Sequence, residues 1–143
     1  MQTNILSGGF ADAAIQSAHA FRSVMEAMAR PGTIQNLEGA SPPSPLSPAA
    51  GAVLLTLCDT ETPLYLAGCM DCDDVRAWVS FHVGAPFVGP EHSMFAIGTW
   101  DALAPLSRYP IGTPEHPNRS ATLIVDSAPL SQTGAKLTGP GIK

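Results

Sequence analysis

Two arginines on one predicted helix are the first residues that could bind a ligand. Arg22 and Arg30 stand eight residues apart in HAFRSVMEAMARPG, which spans residues 19–32. Guanidinium groups near a helix end suit the recognition of phosphate or phosphonate oxygens. Glu26 lies midway between them, so the three side chains also form an i, i+4, i+8 ladder that contributes only about 0.2–0.5 kcal/mol per pair and needs no ligand. On the residues alone, an anion site and a solvated helix face are equal alternatives.

A histidine and a glutamate further along the chain are also candidates. His82 comes at the end of a predicted helix, in SFHVGAP, where the helix dipole stabilises an imidazolium. Histidine also suits anion contact or proton transfer, so a ligand-contacting role is the alternative. Glu115 lies in the loop sequence PEHPN ahead of a predicted strand. A carboxylate there is a site candidate, although simple solvation explains it equally well.

Two cysteines have a spacing that metal and redox sites share. Cys69 and Cys72 spell CMDC, the spacing of zinc knuckles and of thiol redox motifs. Zinc would need a second ligand pair, and Cys58 with His82 or His92 is an improvised one. The acidic residues around Cys72 do not favour the thiolate that a metal or redox site needs. We therefore interpret the pair as incidental, and we expect reduced thiols and no metal.

Composition limits the class of protein. A chain of 143 residues suits a single domain, 1–143. Charged residues make up 13%, about half the globular average of roughly 25%, so we expect part of the surface to be covered by other subunits. The net charge of −5, with seven scattered basic residues, excludes a nucleic-acid footprint. The longest apolar run, around residues 49–58, is too short for a bilayer and no signal pattern is seen, so we expect a cytoplasmic protein.

The common signatures of self-contained active sites are absent. The sequence has no GxxxxGK[ST] loop, GxGxxG turn, GxSxG elbow or HExxH pair, each of which would indicate a specific chemistry. The chain therefore offers binding candidates but no complete catalytic set.

The spacing of apolar residues predicts the elements that hold these candidates. Apolar residues at three- and four-residue steps predict a helix from Phe10 to about Ala29, which Pro31 and Gly32 end. Further helices are predicted at 47–58, 71–82 and, weakened by Pro105, 101–107. Strands are predicted at 64–67, 94–97, 121–125 and, beside the last, 136–138; the continuous apolar run at 121–125 is typical of a strand covered on both faces. Helices alternating with short strands predict a layered α/β domain.

Five sequence blocks, taken in order, carry a resemblance to a known family. FRSVMEAMARPG is followed by VLLTLCDTETPLYL, FHVGAP, PEHPNRSATLIV and LTGPGI. Together they cover about residues 21–142, and they resemble the PhnH family, a subunit family of the bacterial carbon–phosphorus lyase system. The resemblance implies a role in alkylphosphonate catabolism. There the subunit acts with its companions to couple a phosphonate to the ribose of ATP, displacing adenine, before the carbon–phosphorus bond is cleaved.

The resemblance also implies a fold, a set of partners and a place for the arginines. The family's fold is a layered α/β/α sandwich that looks like the large domain of pyridoxal-phosphate-dependent transferases without a working cofactor site. The residues agree, because a Schiff-base enzyme needs an internal lysine, and this chain has only Lys136, in a predicted strand, and Lys143, its last residue. Similar proteins form homodimers that dock onto sister subunits. The resemblance favours a ligand pocket or a subunit contact at the AMARPG segment that ends the helix. The residues that would face phosphonate, triphosphate or a neighbouring subunit are Arg22, Arg30, Pro31 and Gly32.

Two departures from the family and two alternative functions follow from the same blocks. The family usually continues for some tens of residues past the LTGPGI block, whereas this chain ends at Lys143, and the CMDC pair is not part of the family pattern. The favoured role is a non-catalytic or co-catalytic subunit. A pure assembly scaffold without a ligand is the first alternative, and a metal or thiol protein built on CMDC is the second.

Overall fold

The chain folds as four helices and a small sheet in the computed structural model, which describes residues 5–127 and 129–142. The helices are α1 (Ala13–Ala29), α2 (Pro48–Leu57), α3 (Asp73–His82) and the short α4 (Trp100–Leu103). The strands are β1 (Leu64–Leu66), β2 (Phe95–Gly98) and β3 (Thr122–Val125). The predicted α/β class is confirmed. Within the described residues, no helix has both the length and the apolar character needed to cross a membrane.

Local signals in the sequence explain where the helices begin. The carboxylate of Asp12 caps α1 by accepting a hydrogen bond from the amide of Ile15. The hydroxyl of Ser47 caps α2 by accepting from the amide of Ala50 at 3.1 Å, and Pro48 occupies the first turn, where its missing N–H costs nothing. These side chains satisfy amide groups that the first turn of a helix leaves without partners.

The three strands form one parallel sheet in the order β1-β2-β3. Leu64 pairs with Phe95 at the start of β1 and β2, and Phe95 pairs with Thr122 at the start of β3. Parallel neighbours need a crossover, and the chain segments that contain α3 and α4 supply the two crossovers. The carboxyl ends of all three strands therefore meet at one edge of the sheet, where ligands commonly bind in α/β proteins.

Two hydrophobic clusters fill the two faces of this sheet. Alternate residues of β1 divide between them, as the two-residue period of a strand requires. Leu64 and Leu66 join the side chains of α2 and α3, with Trp78 and Leu54 fully buried at the centre. Tyr65 packs on the other side, in a smaller cluster with Ala67, Ala96, Leu103 and Tyr109.

Three predicted elements need correction. The run at 101–107 is not one helix: α4 ends at Leu103, and a separate 3-10 turn occupies Leu106–Arg108, because Pro105 cannot continue the helical hydrogen bonds. β3 is an edge strand of this sheet and is only partly covered, since Thr122 and Val125 are exposed. Residues 136–138 form no strand and are exposed, although Lys136–Thr138 had the composition of one.

The apolar stripe of α1 does not face the core. Only Ala20 is buried on this helix, and α1 packs against α2. Phe21, Met25 and Met28 are 48%, 56% and 73% exposed. Surface helices of globular domains normally turn their apolar side inward, so α1 leaves uncovered a face that its sequence pattern would bury.

Candidate functional site

The end of α1 is a tight turn with a defined geometry. The amide and the hydroxyl of Thr33 both donate to the carbonyl oxygen of Arg30, at 3.1 Å and 2.8 Å. Gly32 has φ +93°, a value that side-chain-bearing residues rarely adopt, and Pro31 precedes it. Proline followed by a glycine of positive φ is the signature of a type II turn. The Pro-Gly pair therefore stops the helix and fixes the direction of the chain leaving it.

Arg22 and Arg30 do not converge on one point. Both are exposed, and eight residues of helix separate them by about 12 Å along the axis. The Nε of Arg30 lies 3.1 Å from Oε1 of Glu26, in an ion pair whose two side chains are 72% and 45% exposed. Arg22 makes no hydrogen bond or ion pair with any residue that the structure describes. Glu26, which lies between the two arginines, pairs with Arg30 alone, so the structure does not join the two guanidinium groups in one site.

A cavity of about 440 Å³ opens beside the turn. It is lined by Ala29, Arg30, Pro31 and Thr33 from the turn and by Gly141 and Ile142 from the end of the chain. Leu137 also approaches the turn, since a Cβ on Gly32 would lie 3.3 Å from its Cδ1. The AMARPG and LTGPGI blocks, which are more than a hundred residues apart in sequence, thus meet at this cavity.

His82 holds the beginning of the chain. Its Nε2 donates to the carbonyl oxygens of Ile5 at 3.0 Å and Ser7 at 3.2 Å, with the tautomer assigned from these two acceptors. Trp78 donates its indole N–H to the same Ser7 carbonyl at 3.2 Å. His82 also lines a cavity of about 340 Å³ with Gly9 and other residues near the start of α1. Its observed bonds are structural, and they fasten the N-terminal segment to α3.

Glu115 lies far along the chain in a closed loop. The antiparallel bridge between Ile111 and Ser120 closes the loop, and Thr113 and His116 exchange backbone hydrogen bonds across it at 3.1 Å and 3.3 Å. Glu115 is exposed and has no hydrogen bond or ion pair among residues 5–127 and 129–142.

The CMDC pair is not assembled into a site in the described chain. Cys69 is exposed in a 3-10 turn and Cys72 is half-buried at the start of α3, and both are free thiols. No group of three or more His, Cys, Asp or Glu side chains among the described residues could hold a metal ion. Asp71, between the two cysteines, instead pairs with Arg76, which lowers the pKa of that carboxyl group.

Cys58 differs from this pair and gives a testable pH effect. Burial, with a smaller contribution from the neighbouring Asp59, raises its pKa from 9.0 to about 12. The folded chain keeps this thiol protonated while the unfolded chain would ionise it, so the corresponding stability is complete below pH 9 and is lost as the pH rises towards 12.

At pH 8 we expect iodoacetamide to modify Cys69 in the folded chain and Cys58 only after unfolding in urea, as read by mass spectrometry. Modification of both at equal rates in the folded chain would contradict the burial of Cys58.

Sequence reasoning did not find a groove beside the last strand. Asp126 follows β3, and its Oδ2 accepts a hydrogen bond from the amide of Ser47 at 2.8 Å, which ties the carboxyl end of β3 to the beginning of α2. A groove of about 470 Å³ runs alongside, lined mainly by apolar side chains including Val53, Ile124 and Leu130. An acid directly after a buried-type strand is a known signal of a site at the carboxyl edge of a parallel sheet, and it could have identified Asp126.

Comparison with known proteins gives the family. The model of the family described as bacterial phosphonate metabolism protein (PhnH) matches residues 8–143. A curated relative, the alpha-D-ribose 1-methylphosphonate 5-triphosphate synthase subunit PhnH of Rhizobium meliloti (strain 1021), is 40% identical over 149 residues. That alignment covers 99% of this chain and 73% of the relative. Both findings confirm the resemblance seen in the five sequence blocks, and this chain belongs to the PhnH family of bacterial phosphonate metabolism proteins.

Proposed function

We propose that this chain is a subunit of an alpha-D-ribose 1-methylphosphonate 5-triphosphate synthase and acts in phosphonate catabolism through the carbon–phosphorus lyase system. The observation that carries the proposal is the family match over residues 8–143, together with the relative of that name at 40% identity. In this role the subunit assists the transfer of the ribose triphosphate moiety of ATP onto an alkylphosphonate, and it works in the cytoplasm.

The subunit is non-catalytic or co-catalytic in this proposal. Arg30, His82 and Glu115 lie on different elements, and no hydrogen bond or ion pair joins them in the described part of the chain. His82 already donates to two backbone carbonyls, and Arg30 is paired with Glu26. A nucleophile, a base and an anion-binding group normally lie within hydrogen-bond reach of one another in an active site. Their separation supports a role in which sister subunits complete the site.

The cavity at the end of α1 is the proposed ligand contact. Arg30 lines it, and its guanidinium can exchange the exposed Glu26 carboxylate for a phosphonate or triphosphate oxygen, because an exposed ion pair holds its partners by only about 0.2–1 kcal/mol. Pro31 and Gly32 fix where that side chain starts. The fold in this proposal is an α/β/α sandwich like the large domain of pyridoxal-phosphate-dependent transferases, without the cofactor, and the subunit forms a homodimer.

A pure assembly scaffold is the second candidate function. The uncovered apolar face of α1 favours it, since such faces mark contacts between proteins. Isothermal titration of the assembled complex with ATP and with methylphosphonate separates the two. A scaffold predicts the same heats for the wild-type complex and for a complex carrying Arg30→Ala, whereas a ligand-contacting subunit predicts weaker binding by the variant complex.

Co-expression with the sister subunits of the synthase tests the proposed function directly. We expect the affinity-tagged chain to capture them and to elute with them in stoichiometric amount on size exclusion. If capture fails, the chain is extended with the residues of the Rhizobium meliloti relative that lie outside the aligned region, and the experiment is repeated. Recovery of capture would assign the failure to chain length, and failure of both forms would overturn the proposal.

A further inference from the structure

One face of α1 is apolar, regular and exposed along the whole helix. Its residues recur at steps of four and three, which places them on a single stripe. We call the stripe the α1 face, and its members are Ala14, Ala18, Phe21, Met25 and Met28. All five are exposed, although three of them are large hydrophobic side chains. The spacing equals the a and d positions of a heptad, the pattern by which one helix packs its side chains against another.

The charges beside the α1 face are unequal. Arg22 borders the stripe at the position next to Phe21, and it has no ion-pair partner in the described part of the chain. Arg30, two turns further on, is already paired with Glu26 at 3.1 Å. A cation that stands alone next to an apolar stripe fits a carboxylate on whatever covers the stripe, because charges at the border of a helix pair determine which partner is accepted.

A second copy of α1 does not supply that carboxylate. In an antiparallel pair, the positions that border the stripe on the Arg22 side face one another across the two helices, and on α1 these are Ile15, Arg22 and Ala29. A second copy therefore places either an apolar side chain or another Arg22 there. Like charges in this arrangement are unfavourable. In a parallel pair the corresponding position of the second helix is Ser17, which is half-buried and carries no charge. Neither orientation satisfies Arg22, so the charge pattern favours a different chain.

We propose that the α1 face docks a helix of a sister subunit, and that this helix carries an apolar stripe and an acidic residue opposite Arg22. The inference rests on the proposed function, which supplies the sister subunits. Burial of Phe21, Met25 and Met28 in such a contact stabilises the complex through the removal of apolar surface from water. The pairing of Arg22 selects the partner and sets the register of the two helices.

Methionine oxidation tests the surface without any substitution. Exposed thioethers are oxidised by hydrogen peroxide and buried ones resist. We expect Met25 and Met28 to be oxidised in the isolated chain and protected in the assembled complex, as measured by mass spectrometry. Met94, which is 50% exposed on another part of the molecule, is the control for a general loss of access, and Met70, 2% exposed, should resist in both states. Equal oxidation of Met25 and Met28 with and without the sister subunits would overturn the docking surface.

Substitutions test the partner's chemistry. The double variant Phe21→Asp, Met25→Asp should reduce capture of the sister subunits by about tenfold or more, with the circular dichroism of the isolated chain unchanged because both positions are exposed. Arg22→Glu should also weaken capture, and more strongly than Arg22→Gln. Ile111→Asp, at a site 84% exposed in a distant loop, is the matched control and should capture normally.

The outcomes separate this inference from the proposed function. Capture by the wild-type chain and by the Phe21→Asp, Met25→Asp variant alike would overturn the docking surface and leave the proposed function standing. If the isolated wild-type chain is a dimer that this variant converts to a monomer while capture persists, a second copy covers the α1 face and the inference is wrong. Loss of capture by wild type in both chain lengths would overturn both proposals.

Discussion

Replacement of Trp78 with alanine is expected to lower the free energy of unfolding by about 3–5 kcal/mol. Trp78 is the largest of the fully buried side chains and lies in the cluster between α2, α3 and the sheet. Its loss leaves a cavity that the surrounding side chains fill only in part. The change also removes the indole N–H that donates to the carbonyl of Ser7 at 3.2 Å. Small domains have about 5–15 kcal/mol of total stability, so the loss is a large share of it.

Urea denaturation followed by circular dichroism measures this change. Trp100 provides the matched control, because it is the other tryptophan of the chain and is 55% exposed at the first position of α4. Trp100→Ala should alter the free energy of unfolding by no more than about 0.5 kcal/mol. Equal effects of the two substitutions would contradict the burial of Trp78 and the arrangement of the larger cluster.

The elements with clear local signals were predictable from the sequence. Ser47 and Pro48 identify the start of α2 because a capping hydroxyl and a first-turn proline have few other uses in combination. The acids near the start of α3 predicted its beginning to within two residues, and the Pro-Gly pair after α1 gave the end of that helix correctly. Short apolar runs gave β1 and β2 to within one residue at each end, because most of their side chains are buried in the two hydrophobic clusters.

The parts that depend on distant contacts were not predictable. Val125 belongs to a run that is typical of a fully covered strand, but β3 lies at one edge of the sheet and Val125 is 42% exposed. Strand order, rather than local sequence, decides which strands lie at an edge. The apolar spacing of α1 correctly predicted a helix, yet it could not reveal that Ala20 would be buried while Met28 is exposed. The sequence pattern identifies the apolar stripe, but only the packing of the folded chain determines which side of the helix faces the core.

The sequence predicted individual residues of the candidate site better than it predicted which of them lie together. Sequence reasoning found the turn at Pro31 and Gly32, which the structure describes as a positive-φ glycine turn beside a cavity. It could not show that residues 141 and 142 line the same cavity, because that contact joins segments more than a hundred residues apart in sequence. It also missed Asp126, whose bond to Ser47 depends on the parallel order of the strands.

Arg30→Ala should abolish growth on an alkylphosphonate as sole phosphorus source in a strain whose own copy of this subunit has been deleted. The proposed contact with a phosphonate or triphosphate oxygen needs the guanidinium, and removal of a charge-assisted hydrogen bond to an anion costs about 1.5–3 kcal/mol or more. The fold should be unaffected, because the Glu26–Arg30 pair is exposed and an i, i+4 pair contributes only about 0.3–0.5 kcal/mol. Growth curves and the urea transition of the purified variant measure the two effects.

Glu26→Ala is the control that identifies which partner of the ion pair matters. It breaks the same contact as Arg30→Ala but leaves the guanidinium in place at the mouth of the cavity. If Arg30 binds an anion, Glu26→Ala should keep growth, since the arginine no longer has to leave a competing carboxylate. Loss of growth in both variants would indicate that the ion pair itself acts, as part of a subunit contact. Full growth of Arg30→Ala, or its unfolding at a much lower urea concentration than wild type, would remove Arg30 from the proposed ligand contact.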